Sequence, residues 1–197
     1  MHDNPALSTA ARAGAVIPIF ILDDVSAGEM ARGAASRVWL HHSLAALDAS
    51  LGGSLQYFAG DARDLLPRLV AEHGVEEIHW NRCYEPWRRE RDVVIKSRLK
   101  ELGADAYSHN GALLWEPWEV LKTDGTPYQV FTPFYRRARA QAPVPRKPVP
   151  APRDCVFHGK DFGGCSLADL ALLPPVRWDH ACVNTWTIGE AAACCVR

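Results

Sequence analysis

Hydrophobic positions along the chain follow two periods in turn. Ala15 to Leu22 is apolar almost throughout and rich in β-branched residues, the pattern of a strand buried on both faces as in a parallel sheet. Pro18 within it removes one ladder donor. From Ser36 to Leu51 the period becomes helical: Leu40, Leu44, Leu47 and Leu51 fall at i, i+4, i+7 and i+11, before Gly52-Gly53. Ser54 to Ala59 is the next predicted strand. Asp61 is a suitable cap for a helix that reaches His73 and stops at Gly74. Pro67 inside that helix predicts a lost hydrogen bond and a kink. Val75 to Asn81 is a third strand. Pro86 then fits a first helical turn, Ile95, Leu99 and Leu102 share one stripe, and Gly103 stops the helix. Asp105 to Ser108 is a fourth strand. Ahead of them all, Asp3 to Leu7 leads into a short helix ending near Ala13. Strands alternating with helices through short turns predict an α/β fold built on a doubly wound parallel sheet.

Beyond Ser108 the pattern breaks. His109-Asn110-Gly111 reads as a turn, and Leu113–Trp118 and Tyr128–Tyr135 are aromatic and irregular. Pro143 to Pro152 is a proline-rich linker. The chain therefore divides into an α/β domain over residues 1–137 and a linker with tail over 138–197. The tail has only short apolar pieces, too few for a core of its own.

Composition narrows the function. Hydrophobic residues make up 48% and the formal charge is −1, so no global field draws the chain to nucleic acid or membrane. No apolar run is long enough to span a bilayer, and Met1–Pro5 does not open a signal peptide; a cytoplasmic location is expected. Six cysteines without a C-x-x-C pair predict reduced thiols. His41-His42 have no third ligand at a recognisable spacing, so no metal is assigned. Arg136, Arg137, Arg139, Arg146 and Lys147 form a basic stretch that reads as a solvated linker charge run rather than as a patch near DNA phosphates.

In open α/β sheets ligands bind outside the carboxyl ends of the strands. Asp23 stands at the end of the first strand, and Asn81, Cys83 and Glu85 surround the end of the third. Each also has a purely structural use: Asp23 as a turn former, Asn81 in a strand-to-helix turn, Cys83 as a small buried residue, Glu85 as a helix cap. No glycine-rich phosphate loop, H-E-x-x-H or Ser-His-Asp arrangement appears, and no catalytic residue is assigned.

Several runs, in order, carry a resemblance: His2–Leu7, Phe20–Asp23, Ser36–Leu44, Trp80–Pro86 with Arg91-Asp92, Pro127–Phe134, Thr185–Thr187 and Gly189–Ala191. Together they resemble the N-terminal α/β domain and interdomain linker of DNA photolyases and cryptochromes. The resemblance implies a Rossmann-like sheet whose first, central strand would precede His2. It also implies a helical domain, binding FAD and damaged DNA, that would follow Arg197. The expectation is a fragment lacking both, with a family role in blue-light DNA repair or photoreception but without catalysis of its own.

The α/β domain of this family often holds a light-harvesting pigment. The crevice beside Ile21, Leu22 and Asp23, facing Arg37 and the Asn81–Glu85 turn, is the expected slot. Arg37 would pair with an anionic ring or phosphate, or else is a solvated helix residue. Folate-binding members tend to carry an Asn-Glu pair in the helical turn where Trp87 and Arg88 stand here. The resemblance therefore points to a deazaflavin, a flavin or no pigment, rather than a folate. The remaining readings are a non-catalytic interaction domain, a decaying gene product, or an unrelated nucleotide-binding α/β protein.

Overall fold

A computed structural model describes residues 1–195; Val196 and Arg197, the end of the expected tail, lie outside the described residues. Pro5–Ala13 forms the first helix, α1, capped by the Asn4 side chain on the Leu7 amide. Ile19–Leu22 (β1) pairs in parallel with Gln56–Ala59 (β2). Glu77–Asn81 (β3) pairs in parallel with Asp105–His109 (β4). Among the described residues no ladder joins β1 to β3, so the sheet stands as two parallel pairs. That is the division expected of a doubly wound sheet without its central strand.

β1 is shorter than the apolar run, and Pro18 explains it. Without an amide hydrogen there, pairing with β2 begins only after it. Val16 bonds the Val156–His158 segment instead, its amide donating to the Val156 carbonyl and its carbonyl accepting from the His158 amide. Four helices were not expected, two of them in the tail, His180–Thr185 and Glu190–Cys195. Asp24–Ala27 (α2) is one turn, with the Asp23 side chain accepting from the Ser26 amide. Phe131–Gln141 (α6) forms inside the aromatic run read as irregular. Pro133 is no obstacle, because it sits in the first turn where amides have no intrahelical partner. The remaining helices are Ala34–Ser50 (α3), Ala62–His73 (α4), Pro86–Glu101 (α5), His180–Thr185 (α7) and Glu190–Cys195 (α8).

Alternation along β1 and β2 sends side chains to two cores. Phe20, Leu22 and Tyr57 pack with Leu40 and Leu44 of α3 and with Leu51 just past its end. Ile19, Ile21 and Phe58 pack on the other face with Leu65 and Leu69 of α4. Ile21 also reaches the cluster of Val70, Ile95, Leu99, Ile78 and Trp80, which ties the two strand pairs into one interior. The segment beyond the proline linker returns to this interior. Phe157, Leu170 and Leu172 join the α3 core, and Phe162 stacks on His73 with ring centroids 3.9 Å apart. The apolar pieces of the tail thus complete the α/β core.

Pro67 costs α4 the bond that its amide would have given the Arg63 carbonyl. The Arg98 guanidinium of α5 donates to that carbonyl at 2.7 Å, and to Asp64 at 2.5 Å. The helix continues through Pro67 to His73, because its freed acceptor is satisfied from the neighbouring helix.

Candidate functional site

The carboxyl ends of β1 and β3 converge on a set of charged groups, beginning with Asp23. As the cap of α2 it is drawn inward, and its side chain is 3% exposed. One carboxylate oxygen takes the Ser26 amide at 2.8 Å. The other has no hydrogen-bond partner, and the nearest cation, Arg91 Nη1, is 3.5 Å away. Arg91 spends its other donors on Asp92, at 2.8 and 3.0 Å. Asp92 in turn accepts the Trp80 indole N–H at 2.9 Å. The spacing of α5 makes this possible: Trp87 and Arg91 are i and i+4, one turn apart on the same face. Trp87 lies beneath two guanidinium groups, Arg88 at 4.9 Å and Arg91 at 5.4 Å from its ring centre.

Arg88 gathers the β3–α5 turn. Its Nη1 donates to Cys83 Sγ at 3.0 Å, and its Nε is 3.6 Å from a Glu85 oxygen without a hydrogen bond. That Nε is buried and unpartnered. Glu85 occupies the cap position of α5 but makes no capping bond with its side chain. The expected capping role is therefore not the one observed: Arg88 holds the carboxylate on the other side. Cys83 is half-buried and forms no disulfide.

The other expected site residues are committed elsewhere. Arg37 binds Asp24 at 2.5 Å, joining α3 to α2. Ile21 and Leu22 face the cores. Asn81 works on the α1 side of the sheet. It donates to the Asn4 side chain at 2.8 Å and accepts the Ala6 amide at 3.2 Å, pinning the start of α1 to β3. Nearby, Asp61 caps α4 and binds Arg63 through both oxygens, at 2.6 to 3.0 Å, and these bonds hold its carboxyl down at about 2.

Arg88, Arg91 and Trp87 were the residues that sequence reasoning left out of the site. The α5 periodicity places them toward the strand ends, but only the fold shows Asp23, 68 positions earlier than Arg91, as the carboxylate they face. A second polar group lies across β3 and β4. His79 Nδ1 and His109 Nε2 are 3.1 Å apart, and His79 Nε2 is 3.0 Å from Glu77. Burial, with His79, Arg82, Arg12 and Lys96 nearby, holds His109 below the usual histidine range. Beyond β3, Arg82 pairs with the buried Glu116, which also accepts the Tyr84 hydroxyl at 2.8 Å. Burial and Glu116 raise the Tyr84 hydroxyl.

The sequence model of the DNA photolyase family matches residues 1–153. A deoxyribodipyrimidine photo-lyase of Agrobacterium fabrum is 37% identical over 98% of this chain and 40% of its own length. Cryptochrome-1 of Arabidopsis thaliana is 34% identical over 79% of this chain and 24% of its own. The crystal structure of a class III photolyase from Agrobacterium tumefaciens superposes with a TM-score of 0.86 at 35% identity, covering 98% of this chain and 40% of that one. The chain thus spans well under half the length of the relatives it matches.

Proposed function

The chain belongs to the DNA photolyase family, and from that premise we propose that it serves as the light-harvesting α/β domain, holding a flavin or deazaflavin pigment at the carboxyl ends of β1 and β3. The family binds flavin and antenna chromophores in general. The observation that carries the finer reading is a pair of buried side-chain atoms without a hydrogen-bond partner, one at the end of β1 and one in the first turn of α5. Asp23 offers an unpaired acceptor and Arg88 an unpaired donor. Leaving such groups unsatisfied is costly, and a ring edge with an N–H beside a carbonyl supplies what both lack. Arg91 and Trp87 add a cation and a flat apolar wall, the composition of a small-ligand site. Arg37, through Asp24, positions α2 rather than touching the ring.

The pigment, when bound, absorbs light and passes energy on without bond making. The light-driven cleavage of pyrimidine dimers that the family performs is proposed for the part of the relatives outside this span. FAD for that chemistry and contact with damaged DNA are assigned there too.

Titration of the purified chain with FMN and with a deazaflavin, read by fluorescence quenching, tests the site. One-to-one saturable binding is expected, with Asp23→Asn and Arg88→Ala each weakening it by about tenfold, within the range for one charged hydrogen bond. A methenyl-folate is expected to bind more weakly. Equal affinity in the variants moves the pigment away from Asp23, and absence of saturable binding removes the antenna reading.

A further inference from the structure

One face of α6 is left uncovered by the fold. Phe131 and Tyr135 are 71% and 42% exposed. Their rings stack, with centroids 5.5 Å apart and planes 13° from parallel. One turn further, the Arg139 guanidinium lies 6.0 Å from the centre of the Tyr135 ring. The spacing i, i+4, i+8 sets the three in line. With Thr132, Arg136 and Ala140 they line an open groove of about 710 Å³.

The charge around this face is one-sided. Among the described residues no ion pair involves Arg136, Arg137 or Arg139. From Gly125 to Arg153 the chain carries six basic residues and no acid, although its total charge is −1. An uncharged apolar partner leaves the two guanidinium groups of the groove, Arg136 and Arg139, unneutralised. A purely electrostatic partner has no use for an exposed ring stack. Single-stranded nucleic acid meets both features, with phosphates for arginines and a free π-face on each base for stacking. A duplex keeps its bases within its own stack.

We propose that α6 is a sequence-independent platform for single-stranded nucleic acid, with a base stacked on the Phe131–Tyr135 pair and the phosphate backbone running along Arg136 and Arg139, the two arginines of that groove. The surface is separate from the β1–β3 crevice, so the proposal does not depend on the pigment.

Fluorescence anisotropy with a labelled oligothymidine of about 20 nucleotides, longer than the site size of one small binding module, provides the test. Binding is expected to be saturable. Log affinity should fall with log salt at a slope of about −1.4, from two phosphates at roughly −0.7 each. A duplex of the same length should bind more weakly. Phe131→Ala with Tyr135→Ala should lower affinity by about fivefold or more, the low end for one stacked base, leaving the salt slope in place. Arg136→Glu with Arg139→Glu should flatten the slope. Arg139→Lys, which retains charge and exposure, checks that any loss is not a folding defect. Thermal melts of all variants are expected to match the parent, since these side chains are exposed. Duplex, heparin or anionic phosphatidylglycerol vesicles bound as tightly as the single strand would overturn the proposal, as would aromatic variants with undiminished affinity or a parent that binds no oligothymidine at low salt.

Discussion

His109 links the fold to pH through its surroundings. On the sheet face beneath α1 it meets His79 of β3, which itself contacts Glu77 and Tyr107; Arg12 of α1, Arg82 and Lys96 are close by. Burial comes first, and the neighbouring positive groups add to it; both disfavour the imidazolium. The folded form therefore holds His109 neutral to lower pH than the unfolded chain does, whose value is near 6.5. The resulting stability is present above that value and is lost as pH falls below it. The melting temperature is expected to drop on acidification from about pH 7 to about pH 5, and His109→Gln to flatten the drop; an unchanged slope in the variant would assign the titration to another group. Gly111 matters for a different reason. A Cβ there would lie 2.7 Å from Asn81 Cγ, and Asn81 is the pin for α1. Gly111→Ala should destabilise by about 1–3 kcal/mol, as overpacking does, with exchange protection falling first in α1.

Between elements, the Arg98 bond to the Arg63 carbonyl is what lets a proline stand within α4. Arg98→Ala should destabilise by about 0.5–1.5 kcal/mol, the usual worth of a hydrogen bond. Pro67→Ala restores the intrahelical donor, so the loss should shrink in that background. A double-mutant cycle measures the coupling, and additive effects would mean that Arg98 acts only through Asp64. The facing edges of β1 and β3 raise a larger issue. Two parallel pairs share one interior through Ile21, yet among the described residues no ladder joins them. Unpaired strand edges promote association. An apolar strand of about ten residues supplied ahead of His2 should raise the melting temperature clearly and suppress aggregation. A monomeric chain that melts cooperatively and gains nothing would show that the gap needs no strand.

For the whole molecule, near-zero net charge hides a division of labour. Carboxylates and arginines neutralise each other at the strand ends, while the excess positive charge collects from α6 to the proline linker. The family's catalytic chemistry is proposed for a region outside this span, so these residues alone should not hold FAD stoichiometrically or repair a dimer-containing oligonucleotide under blue light. Product analysis by chromatography decides it, and light-dependent repair would place the reaction within these 197 residues.

Local periodicity was enough to read the four strands, the helices α1, α3, α4 and α5, and the α/β class, because burial imposes a period of two or of 3.6 on whichever residues must face a core. The division into two strand pairs was not legible from that alternation; it follows from the strand order of a doubly wound sheet whose central strand the resemblance puts ahead of His2. The site was only partly legible. Asp23, Cys83 and Glu85 could be placed at strand ends by counting, but not Arg91 beside Asp23 or Arg88 between Cys83 and Glu85. Asn81 stood in the same count and proved to hold α1. Charged side chains have no periodic signature; their partners are set by distances between elements far apart in sequence. For that reason tertiary structure alone decided that Arg98 completes α4, that residues 157–172 finish the core, and that the aromatic run at Phe131 is a helix with its rings turned outward.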